Sequence, residues 1–98
     1  MAEKLSILLA QTNPIVGNIE YNRDLVLDTI EKNKSADLIV FSELVLSGYP
    51  PEDLVLKPAF QDAVAQAVND LAVDTGYGGP GLLISAPWRV GDLLYNAA

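Results

Sequence analysis

Three short apolar runs, at residues 5–10 (Leu-Ser-Ile-Leu-Leu-Ala), 38–41 (Leu-Ile-Val-Phe) and 82–86 (Leu-Leu-Ile-Ser-Ala), alternate with two longer stretches of helical periodicity. This alternation constrains the fold more than any other feature. The runs are too short for helices, and the near-continuous first one predicts a strand buried on both faces, as in a parallel sheet covered on each side. Between the first two runs Asn18 stands where a helix cap is needed. Ile19, Val26 and Ile30, with Leu27 flanking, then recur at helical spacing, while Glu20, Arg23, Asp24, Asp28 and Glu31 fill the other face. The pattern predicts an amphipathic helix over residues 19–33. After Pro58, the positions Phe60, Val64, Ala67, Val68 and Leu71 predict a second helix over residues 58–73.

Strand, helix, strand reads as a right-handed crossover between parallel strands. The order β-α-β-loop-α-β-turn-β therefore predicts an α/β fold with a largely parallel sheet. Loops 11–17, 42–51 and 87 onward should leave the strand C-terminal ends close together, where such sheets place a binding crevice. Pro51 should open a helical turn in which Glu52 and Asp53 are ordinary first-turn acids. Pro87 should limit the third strand, and Gly91-Asp92 should turn the chain into a fourth. The glycine-rich stretch 76–81 leads into a strand and lacks the Gly-x-Gly-x-x-Gly order, which excludes a dinucleotide cradle there.

Composition narrows the chemistry. The net charge of −7, from 13 acidic and six scattered basic residues, argues against a nucleic-acid partner, because phosphate binding needs clustered Lys and Arg. No apolar run approaches the roughly 18 residues of a membrane span, and Met1-Ala2-Glu3-Lys4 has no leader pattern, so no membrane partner and a cytoplasmic location are expected. Cysteine and histidine are both absent, so disulfides, thiolate nucleophiles, imidazole bases and soft-metal sites are unavailable to these 98 residues. The apolar pattern at residues 93–98 stops without a polar tail, which leads to the expectation of a fragment.

Glu43 follows the second run by two residues, among apolar neighbours. Burial there would disfavour its charged form and tune it as a general base; a backbone-capping role or a pairing with lysine is the structural alternative. Lys57 reads as a solvated lysine at a helix entry.

The stretch "VFSELVLSGYPPEDL", together with "ILLAQTNPIVGNIEYN" and "SAPWRVGDLLYNAA", resembles the nitrilase superfamily of carbon-nitrogen hydrolases. Within it, the Gly-Tyr-Pro-Pro-Glu-Asp-Leu wording is most similar to the N-terminal glutaminase domain of glutamine-dependent NAD synthetases. The resemblance runs over residues 5–98; Ser42 departs from the proline that often precedes the family's glutamate. It implies the N-terminal part of an α-β-β-α sandwich, with residues 1–98 forming the front of a glutaminase domain that is truncated at its C-terminal end.

The resemblance also implies a Glu-Lys-Cys triad in which Glu43 is the base, with the lysine and cysteine beyond Ala98. Tyr49 would lie near the glutamine pocket, closing its wall or hydrogen-bonding the base; an amphipathic ring packed at the loop base is the alternative. Trp88, Tyr95 and Asn96 read most simply as core and turn residues. No metal or cofactor is implied for this chain. ATP and magnesium are implied for an absent synthetase domain, glutamine as the small-molecule partner, and a homo-oligomer at full length. Two other readings are a free-standing amidase acting on another small amide, and a non-catalytic α/β module that binds a partner through an exposed sheet edge.

Overall fold

The computed structural model describes residues 3–76 and 78–98. Met1 and Ala2 of the expected N-terminal segment and Tyr77 of the expected glycine-rich loop lie outside the described residues. The element order is β1 (Ile7–Ala10), α1 (Ile19–Lys32), β2 (Leu38–Phe41), a short 3-10 helix (Glu52–Leu56), α2 (Pro58–Thr75), β3 (Gly81–Leu83), β4 (Ala86–Val90) and β5 (Leu93–Ala97). β1, β2 and β3 form a parallel sheet in that order, with Leu9, Val40 and Leu83 in register across it.

Both long helices form where their periodicity placed them. Asn18 Oδ1 accepts the Tyr21 N–H at 3.1 Å, so the predicted cap is made. Val26 and Ile30 of α1 and Val64, Ala67 and Leu71 of α2 pack with Ile39 and Phe41 of β2 in one core. Side chains alternate across a strand, so Leu8, Ile39, Phe41 and Leu82 face the helices.

The opposite face departs from expectation. Two right-handed crossovers that step the same way across a sheet put both helices on one side of it. Ile7, Leu9 and Leu83, in register on the other side, are left exposed, with Leu9 at 72 %. The first strand is therefore half-buried on one face and exposed on the other. Its apolar continuity reports two apolar faces, while the crossovers cover one of them within this chain.

The C-terminal third also differs. The third strand ends at Leu83, and Pro87 lies inside β4, which pairs with β5 as a separate antiparallel hairpin. Gly91, at φ +60°, begins the two-residue turn, which makes Val90 and Leu93 the first hydrogen-bonded pair. Counting back by alternation places Pro87 opposite Asn96 in a non-hydrogen-bonded pair, where a missing N–H costs β5 nothing. Arg89 fastens the hairpin to α2 by donating to Gln61 Oε1 at 2.9 Å and to Asp62 Oδ1 at 2.7 Å. Trp88 is half-buried and Tyr95 and Asn96 are exposed, so none of the three is a core residue: a two-stranded hairpin against one helix cannot enclose them.

Candidate active site

Two loops leave the C-terminal ends of β1 and β2, and the structure brings them together. The Gly17 N–H donates to Ser47 O at 3.0 Å. Gly48 takes φ +77° so closely against Val16 that an added Cβ would stand 2.6 Å from the Val16 Cα. Asn22, on the first turns of α1 and fully buried, holds both loops at once. Its Nδ2 donates to Ile15 O at 2.8 Å and to Leu46 O at 2.9 Å, and its Oδ1 accepts the Ile15 N–H at 2.7 Å.

Sequence reasoning missed Asn22; the only signal was a polar residue three positions after the predicted helix start, on the face that carries Ile19 and Val26. Replacing Asn22 by Ala strands Leu46 O, Ile15 O and the Ile15 N–H away from their partner. This is expected to lower stability by about 2 kcal/mol, read as a fall in the urea or thermal unfolding midpoint.

The turn after β2 decides how Glu43 is presented. Leu44 adopts φ +54°, the left-handed region that costs a non-glycine residue about 1–2 kcal/mol. Three contacts hold it there: the Leu44 N–H donates to Ser85 Oγ at 2.7 Å, and Leu44 O accepts from the Gly48 N–H at 2.9 Å and from Ser47 Oγ at 3.2 Å. The reversal buries Leu44, Val45, Leu46, Ser47 and Gly48 while leaving Glu43 exposed. The expectation that apolar neighbours would take this carboxylate out of water is therefore not met within the chain: those neighbours turn into the core and Glu43 turns away from it.

Among the described residues Glu43 neither caps a backbone amide nor pairs with a lysine. Instead its Oε1 accepts from Asn96 Nδ2 at 2.7 Å, joining the β2 loop to the C-terminal hairpin. The three strand-end segments thus do converge, the third through Ser85 and Asn96. Glu43 lines a recess of about 300 Å³ with Asn13, Pro14, Ser42 and Tyr49. Tyr49, followed by a cis bond to Pro50, is 63 % exposed at the recess wall, so its ring is not packed at the loop base.

Glu52 and Asp53 begin the 3-10 helix, with Glu52 at φ +50°, and Lys57 is exposed at the entry to α2, as expected. Among the described residues no three His, Cys, Asp or Glu side chains converge, and Gly78 and Gly79 precede a strand. No helix among the described residues is long and apolar enough to cross a membrane.

The chain is thus an α/β unit whose parallel sheet is covered on one face, with its strand-end loops drawn around an exposed carboxylate. Two solved structures superpose on this fold. Glutamine-dependent NAD+ synthetase from Acinetobacter baumannii, in complex with ADP, superposes with a TM-score of 0.84 at 30% identity, covering 94% of this chain and 18% of its own. An amidase from Nesterenkonia sp. superposes with a TM-score of 0.71 at 25% identity, covering 89% of this chain and 34% of its own.

By sequence, the chain is homologous along its whole length to glutamine-dependent NAD(+) synthetases. It is 37% identical over 101 residues to the one from Xylella fastidiosa, an alignment that takes in 100% of this chain and 18% of the relative. The chain thus spans less than a fifth of the length of such relatives. A scan against protein-family models found no match.

Proposed function

We propose that this chain forms the front part of a glutaminase domain that releases ammonia from glutamine for NAD synthesis, with Glu43 as general base. The observation that carries the reading is the carboxylate of Glu43, displayed at the C-terminal end of β2 in the recess shared with Tyr49. Such a group suits amide hydrolysis by a thiol. The base takes the thiol proton as sulfur attacks the amide carbonyl, and returns it to the departing nitrogen as the carbon-nitrogen bond breaks, so ammonia leaves and a thioester remains. A water then loses its proton to the same base and attacks the thioester, releasing glutamate and the thiol. Tyr49 forms a wall of the glutamine pocket.

The nucleophile and the oxyanion-stabilising lysine implied by the resemblance have no counterpart in the recess, since the chain has no cysteine and the recess around Glu43 is lined by Asn13, Pro14, Ser42 and Tyr49. The 98-residue chain alone is accordingly expected to release no ammonia from glutamine; measurable turnover by the purified chain would overturn this assignment of roles.

The likeness to a solved amidase supports a second reading, an enzyme acting on a different small amide. Ammonia release by the full-length protein from glutamine, asparagine and simple aliphatic amides separates the two. A marked preference for glutamine favours the first reading, and a preference for another amide favours the second.

A further inference from the structure

We infer that Asn96 is a positioning residue for Glu43, holding one carboxylate oxygen so that the other is aimed at the reacting groups. The inference rests on the general-base reading of Glu43. A glutamate on a loop has three side-chain torsions and sweeps a wide arc unless something anchors its end. Here the anchor comes from 53 residues away: Asn96 Nδ2 lies 2.7 Å from Oε1, and among the described residues Oε2 accepts no hydrogen bond. Oε2 is thus the oxygen left for proton transfer.

The placement of Asn96 is set by the hairpin register. Directly paired residues of an antiparallel hairpin share a face, so Asn96 lies on the same side as Pro87, its partner, and as Arg89 and Leu94. Pro87, Leu94 and Asn96 of that face line one small cleft with Leu44, Pro51 and Val55 from the β2 loop onward, and Tyr95 from the next position borders it too. A slip of one residue would put Tyr95 or Ala97 opposite Glu43, and neither carries an amide donor.

The hairpin has other fastenings. Ala86 and Pro87 are buried, Ser85 Oγ accepts the Leu44 N–H, and Arg89 reaches α2, whereas the Asn96–Glu43 contact is exposed at both ends. An exposed side-chain contact adds little to stability, so its main consequence is the direction of the carboxylate. Preorganising a catalytic group in this way raises the rate without changing how tightly the substrate binds.

The test is a double-mutant cycle in the full-length protein, with glutamine as substrate. Asn96→Ala is expected to lower kcat about tenfold, to leave KM within about twofold, and to leave the thermal midpoint nearly unchanged. Glu43→Asp shortens the side chain by one methylene and withdraws the carboxylate from Nδ2, so adding Asn96→Ala to it is expected to cost less than about twofold more. Asn96→Gln, which keeps an amide donor, is expected to recover part of the lost rate.

An Asn96→Ala variant with wild-type kcat, or one that loses the same factor in the Glu43→Asp background, would overturn the inference and leave the general-base reading intact. Wild-type turnover by Glu43→Gln would instead remove the general-base reading, and the role of Asn96 with it.

Discussion

Glu43→Gln in the full-length protein is expected to lower ammonia release from glutamine by about a thousandfold, within the range that a positioned general base contributes. The substitution is nearly isosteric: the side-chain oxygen can still accept from Asn96, and the exposed position gives the fold no reason to rearrange. What is lost is the ability to take a proton from the thiol and from the deacylating water, so both halves of the reaction slow. KM should stay within a few fold, because the replacement amide has the same reach and still lines the recess with Asn13, Pro14, Ser42 and Tyr49. The proposed coupling adds a control: NAD formation supplied with free ammonia should continue in the variant, since only the supply from glutamine is cut. Glutamine turnover within about threefold of wild type would show that the base lies elsewhere.

Gly48→Ala is expected to destabilise the protein by about 3 kcal/mol or more, the largest effect anticipated for a change that removes no heavy atom. Two penalties coincide at this position. The backbone takes φ +77°, and the new Cβ would meet Val16 Cα at 2.6 Å, Val16 N at 2.7 Å and Ile15 C at 3.0 Å. Those neighbours are main-chain atoms of the adjacent strand-end loop, so no rotamer change can relieve the clash; the two loops must separate. Separation would strain the hydrogen bond from the Gly17 N–H to Ser47 O and the Asn22 bridge, the contacts that shape the recess.

Gly91→Ala provides the comparison. Its φ of +60° carries a similar backbone cost, but an added Cβ there meets nothing within 4 Å, so a loss of about 1 kcal/mol is expected. Equal unfolding midpoints for the two variants would show that the loops accommodate the methyl group and that only backbone strain is at work.

The helices and their inward faces were legible because their signals are local. The spacing of Val26 and Ile30 and of Val64, Ala67 and Leu71 names the buried stripe of each helix before any tertiary contact is known. Asn18 was readable for the same reason: a cap bonds to an amide three residues on. The third strand was misread because Pro87 reads as a stop, whereas its pairing position in the hairpin requires no donor from it. Leu44 gave no warning, since nothing in a leucine announces a left-handed backbone, and that one residue turns Glu43 outward.

The alternation of strands and helices as far as α2, the helix faces, the placement of the first two loops at the strand ends, and the exclusion of thiol and imidazole chemistry from these 98 residues all follow from the amino-acid order alone. Each is a matter of period, composition or near-neighbour bonding. Which sheet face is covered, which way Glu43 points, and the reach of Asn22 and Asn96 across 24 and 53 residues to hold the loop and its carboxylate emerge only in three dimensions. These outcomes depend on crossover hand, strand register and the sign of one backbone angle. Residue type constrains such quantities weakly, and packing settles them.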